Sequence, residues 1–157
     1  MKTFNKIILG MLAGFSFMLT SCLKKDLPVL PLWDENEITL VNIEYRFNGT
    51  GVINGQPVVA YQKLVAANQI DRENATINLE VTVPDPSGQF TAEEKAKVSQ
   101  SNLWVYMNIS TAATIAPVEG TARPGDAADL TKPLKYEVTS ANGSKRIWTI
   151  NVTSFKP

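Results

Sequence analysis

Apolar residues recur at every second position in several separate stretches of this 157-residue chain, and that period leaves few folds open. Side chains alternate across a strand, so a two-residue period marks a strand with one face buried. Thr76–Val83 is the clearest case. Ile77, Leu79, Val81 and Val83 fall on one side, and Thr76, Asn78, Glu80 and Thr82 on the other. From Thr39 to Phe47, Val41, Ile43, Tyr45 and Phe47 alternate with Asn42, Glu44 and Arg46. Leu103 to Ile109 puts Leu103, Val105, Met107 and Ile109 on a core face, and Trp104, Tyr106 and Asn108 on the outer one. Leu134–Thr139 and Ile147–Phe155 read as a closing hairpin about Asn142-Gly143, a pair in which both residues accept positive φ. Tyr136, with Leu134 and Val138, and Trp148, with Ile150 and Val152, fall on its core side. Pro57–Ala67 is apolar without clean alternation. It is either a strand covered on both sides or one with a bulge.

Between the strands lie Asn48-Gly-Thr-Gly and Asn54-Gly, both turn signals. Pro84-Asp-Pro-Ser-Gly88 stops a strand. Thr91-Ala-Glu-Glu94 is a capping box, in which a hydroxyl and a carboxylate satisfy free amides, and it predicts a short helix at about 92–100. Ala112–Ile115 is expected to continue the 103–109 strand after a bend, and Val118–Lys132 to form a long loop. Five to seven strands, one short helix and Gly/Pro-rich turns predict an all-β domain, an antiparallel β-sandwich.

The N-terminus reads as an address. Lys2 and Lys6 precede an uncharged run, Ile7–Leu19, that would span about 20 Å as a helix, too short for a bilayer core of about 30 Å. It fits a secretory signal. The run ends in Leu19-Thr20-Ser21-Cys22, which resembles the bacterial lipobox, and Cys22 is the chain's only cysteine. That resemblance implies cleavage after residue 21 and fatty acyl chains such as palmitate on Cys22. Two or three such chains anchor stably where one is marginal. The expected organisation is therefore a signal peptide over 1–21, lipidated Cys22 and an extended Pro-containing tether over 22–36, and the β-domain over 37–157. Trp33, near the tether's end, is expected to dock on the domain, with contact to a partner or a seat at the membrane interface as alternatives. Leu23-Lys24-Lys25-Asp26 puts a single acid behind two lysines, which leaves cell-surface and periplasmic display both open.

The C-terminal third carries a further pattern: Ala113-Thr-Ile-Ala-Pro117-Val-Glu-Gly120, then Pro133-Leu-Lys-Tyr136-Glu-Val138-Thr139, Asn142-Gly143 and Trp148-Thr-Ile-Asn-Val152. It resembles the immunoglobulin-like domain of many Bacteroidota lipoproteins, with Asn142 where Asp is usual and Trp148 where Tyr is usual. The match covers about 113–153. The resemblance implies an immunoglobulin-like sandwich on an outer-membrane lipoprotein. Its implied partners are a TonB-dependent transporter and a substrate-capturing lipoprotein of a nutrient-uptake system. It names no catalytic residue.

Composition narrows the chemistry. The chain has no histidine, so a Ser-His-Asp triad, a histidine base and imidazole metal ligation are all excluded. One cysteine excludes an intrachain disulfide and a cysteine-cluster zinc site. With 15 basic and 15 acidic residues, the chain lacks the surplus of cations that nucleic acid requires. Carboxylates are the remaining acid/base groups, and neither Asp126 with Asp129 nor Glu93 with Glu94 forms a recognisable glycosidase pair or calcium motif. No enzyme, cofactor or metal is expected. The candidate binding residues are Trp104, Tyr106 and Asn108, which share an outward strand face. Such a face suits a partner protein or the C–H face of a glycan, unless another element covers it. The expected function is a non-enzymatic accessory lipoprotein of an uptake complex, with a glycan-binding module and a structural or adhesive surface protein as alternatives.

Overall fold

The computed structural model describes residues 31–157. The expected signal peptide, the expected lipidation site Cys22 and the first part of the expected tether lie outside the described residues. The strands are β1 (Ile38–Ile53), β2 (Gln56–Asp71), β3 (Thr76–Thr82), β4 (Leu103–Ile109), β5 (Thr114–Pro117), β6 (Ala127–Ala128), β7 (Leu134–Thr139) and β8 (Lys145–Lys156). One helix, α1 (Ala92–Ala96), lies between β3 and β4. The strands form a single sheet in the order β5-β7-β8-β3-β2-β1-β4-β6. This is the all-β, sandwich-like class that the alternation predicts.

Staggered pairing curls the sheet into two layers. The first part of β2 pairs with β1 from Gln56 to Leu64, and its second part pairs with β3 from Val65 to Asp71. β1 is shared in the same way, with β4 along Ile38–Glu44 and with β2 from Ile43 onward. The inward side chains then meet across the layers. Val41, Ile43, Tyr45, Leu64, Leu103 and Val105 face Ile77, Leu79, Val81, Tyr136, Val138, Trp148 and Ile150, all buried. Tyr136 and Trp148 are core residues, as their alternation predicts.

Where β2 leaves β1, the backbone of Val41 has no strand neighbour on the β2 side. Asn68 replaces it: its Oδ1 accepts from the Val41 N–H at 2.8 Å, and its Nδ2 donates to the Val41 carbonyl at 3.0 Å. A polar residue thus sits on the inward side of β2 because it completes a ladder that the strand itself has abandoned.

Several expectations are corrected in detail. The sheet is antiparallel except for one parallel pair, β3 with β8, which the chain reaches after crossing to the other layer and back twice, through β4 and β6. Asn48-Gly-Thr-Gly is not a turn. It lies inside β1 as a bulge between Asn48 and Val52. The two-residue turn with both φ positive is Asn54-Gly55, at 51° and 76°, whereas near Asn142-Gly143 only the glycine has positive φ, 89°. Ala112–Ile115 does not extend β4. The chain turns there and β5 joins β7 in the other layer. The long loop contains the two-residue β6. The helix ends at Ala96, four residues short of the expected end. Thr91 caps it, accepting from the Glu94 N–H at 3.3 Å.

Residues 32–37 are stitched to the domain through their backbone. The Trp33 carbonyl accepts from the Asn142 N–H at 3.0 Å, and the Asn36 carbonyl from the Trp148 Nε1–H at 2.9 Å. Glu37 exchanges bonds with Ser110 and pairs with Arg72 at 2.9 Å. The Trp33 ring itself is exposed, so the backbone docks and the ring does not.

Candidate functional site

The outward face of β4, β1 and β2 is the site that the sequence reading pointed to, seen whole. Because Leu103 and Val105 face the core, Trp104, Tyr106 and Asn108 must face out. Their neighbours on β1 are Glu44, Asn42 and Leu40. Across the next ladder Glu44 meets Lys63, Arg46 meets Tyr61 and Asn48 meets Val59. Trp104 and Tyr106 are half-buried and Asn108 is exposed.

Among the described residues, what lies over the two rings is a side chain. The Arg46 guanidinium lies 5.4 Å from the Trp104 ring centroid and 5.6 Å from that of Tyr106, and it donates to the Tyr106 hydroxyl. Such cation–π contacts hold an arginine flat against aromatic faces. Glu44 approaches Arg46 to 4.0 Å. Beside Arg46 lies a shallow depression of about 250 Å³, walled by Phe47, Asn48, Val59 and Trp104.

β2 contributes what the sequence reading missed. Its odd positions point outward, so Val59, Tyr61 and Val65 are about 60% exposed. Its even positions point inward and include Gln62, Leu64, Ala66 and Asn68. The strand carries Val59, Tyr61 and Val65 on its solvent side and mixes Leu64 and Ile70 with small or polar residues inside, and so its alternation is hidden in a run that is apolar on both parities. The structure places Tyr61 in register with Arg46.

Beyond the ladder with β4, β1 and β2 continue as a two-stranded arm with exposed Val52, Ile53, Val58 and Val59. Its inner side rests on a cluster of Tyr45, Phe47 and Phe90, with ring centroids about 6 Å apart. The bulge is held by Gln89, whose Oε1 accepts from the Thr50 N–H at 2.9 Å. A cleft of about 400 Å³ opens there between Gly49, Ala60 and Gln89.

Of the acidic candidates, Asp126, Asp129 and Glu94 are engaged locally. Asp129 accepts from the Thr131 amide and hydroxyl, which lowers its pKa below the usual carboxylate range. Glu94 pairs with Lys97 at 2.6 Å and accepts from the Tyr45 hydroxyl, and the Lys97 bond leads in lowering its pKa. Burial first, then Glu94, pushes Tyr45 up to about 12. Asp126 pairs with Arg123. Among the described residues no group of three or more acidic or cysteine side chains is gathered to hold a metal, and no helix is long and apolar enough to cross a membrane.

Residues 38–151 match the model of a family described as DUF5018-related. A solved structure from Bacteroides fragilis NCTC 9343, described as a candidate secreted protein, is 41% identical with a TM-score of 0.73. The match covers 81% of this chain and 100% of that one. A candidate glycoside hydrolase from Bacteroides thetaiotaomicron VPI-5482 matches at 22% identity and a TM-score of 0.44, over 82% of this chain and 27% of that one. The second likeness is too slight to carry an argument. No curated protein matches the chain.

Proposed function

We propose that this chain, which belongs to the DUF5018-related family, is a non-enzymatic accessory protein of the cell envelope that binds through the outward face of β4, β1 and β2. The observation that carries the reading is the exposed row of Val59, Tyr61 and Val65 beside the Arg46–Trp104–Tyr106 cluster. Exposed apolar and aromatic side chains gathered on one sheet face mark an interaction surface. The Bacteroides relative described as secreted supports an extracellular or envelope location.

In this reading the signal peptide directs export, Cys22 carries the acyl chains, and the tether holds the domain off the outer membrane. The partner is a TonB-dependent uptake complex. Tagged full-length protein, extracted from native membranes in mild detergent, is expected to bring down such a transporter, and Tyr61→Ala is expected to weaken the recovery. Recovery of the lipoprotein alone refutes the partner. Intact-mass analysis tests the anchor separately: a mature chain beginning at an unmodified Cys22 refutes lipidation.

A second reading is favoured by Tyr61 and the depression beside Arg46. An exposed tyrosine paired across the ladder with Arg46, which edges a shallow hollow, suits a sugar. Polysaccharide-loaded gels test it, with retardation expected for the wild type and less for Tyr61→Ala.

A further inference from the structure

We propose that the Arg46 cluster takes acidic carbohydrate, a sugar bearing a carboxylate or a sulfate. The inference rests on the sugar-binding reading above and names its ligand class. A guanidinium has five N–H donors in a fixed fork. At Arg46 one is given to the Tyr106 hydroxyl. The nearest carboxylate, Glu44, stands 4.0 Å from Nε, beyond hydrogen-bonding range. The two rings and the Tyr106 hydroxyl therefore fix the guanidinium, and among the described residues its other donors make no hydrogen bond. Its side chain is 36% exposed at the edge of the depression. A flexible arginine normally loses freedom when it binds; this one is ordered beforehand. The fork matches the planar geometry of a carboxylate and the oxygens of a sulfate.

The rings decide the rest of the ligand. Arg46 covers Trp104 and Tyr106, so a neutral sugar has no free platform there. Tyr61, across the ladder from Arg46 and 59% exposed, offers its ring to a sugar C–H face while the acidic group reaches the guanidinium. Over Leu40–Asn48, Val59–Lys63 and Trp104–Asn108 the outward positions hold two cations, Arg46 and Lys63, and one anion, Glu44. Two cations suit a single acidic group and not a phosphate backbone that needs many contacts.

The test is affinity electrophoresis of the full chain in detergent, through gels containing polygalacturonate, dextran sulfate, neutral dextran or polyglutamate. Retardation is expected with one or both acidic polysaccharides, and the stronger of the two identifies carboxylate or sulfate. It is expected to fade with added salt. Arg46→Gln is expected to weaken retention about 10-fold, and Arg46→Lys, which keeps charge but loses the fork, by several-fold. Thermal melts confirm that each variant is folded. Equal retention by neutral dextran, equal retention by polyglutamate, or an unchanged Arg46→Gln overturns the acidic-sugar inference. Retention by neutral dextran alone leaves the broader sugar-binding reading standing, whereas no retention by any polysaccharide overturns both.

Discussion

Asn68→Ala removes the carboxamide that stands in for a missing strand. It leaves the Val41 N–H and carbonyl without partners at a residue that is 1% exposed. A stranded buried backbone group costs about 1–3 kcal/mol, and Asn68 is itself only half-buried, so the lower half of the range applies to each of the two groups. The sum is about 3 kcal/mol. For a domain of this size that lowers Tm by roughly 12 °C. With m near ~1.5 kcal/mol/M the urea midpoint falls by about 2 M. Asn68→Asp sharpens the test. It keeps an acceptor for the Val41 N–H but sets a carboxylate against the carbonyls of Val41 and Ala66. Its folded pKa is raised, so the penalty is full at neutral pH and shrinks as pH falls and the carboxyl protonates. Tryptophan fluorescence during urea titration reads both. A loss below about 0.5 kcal/mol for Asn68→Ala, the size of an ordinary surface change, refutes the strand-replacement argument. So does an Asn68→Asp that is no worse than alanine at pH 7.

Four further outcomes follow from the same contacts. Trp148→Phe loses the indole bond to Asn36 and ring volume at a site that is 0% exposed; a loss of about 2–3 kcal/mol is expected in equilibrium unfolding. In Gly49→Ala the new Cβ falls 2.7 Å from Gln89 Oε1 and 3.0 Å from the Val58 carbonyl, so a loss of about 1–2 kcal/mol is expected; combining it with Gln89→Ala should cost less than the sum of the two. With no histidine in the chain, Tm should be flat from about pH 5.5 to 8. It should fall in acid, because Asp71, Asp129 and Glu94 have folded pKa values below their ordinary 3.8 to 4.5, so their contribution is present above that range and is lost as pH drops through the lowered values. Burial raises both Tyr45 and Tyr136 to about 12, so their stabilisation is lost as pH rises from 10 through 12, and tyrosinate absorbance should show two late-ionising phenols.

The alternation at Thr76–Val83, Leu103–Ile109 and Leu134–Thr139 was enough to assign strands and inward faces, because each has one face in the core and one in water. β2 was not legible in the same way. Its inward side mixes Leu64 and Ile70 with Asn68, which serves the backbone of Val41, and its outward side carries Val59, Tyr61 and Val65. A residue list does not reveal which parity is buried when both are apolar. The glycines at 49 and 51 read as a turn because a bulge needs the same small residues. The parallel neighbours β3 and β8 depend on crossovers that no local pattern encodes. Trp104, Tyr106 and Asn108 were assigned to the right face by alternation alone. The arginine laid over two of them was not, because a diagonal reach along β1 follows from rotamer and register together.

The central claim, binding through the outward face of β4, β1 and β2, is tested most directly by site-specific photo-crosslinking in intact cells. A photoreactive residue at position 61 is expected to capture a TonB-dependent outer-membrane transporter, while one at position 147, an exposed site on β8 in the other layer, captures none. Capture of the transporter from position 147 with none from position 61 would contradict the account.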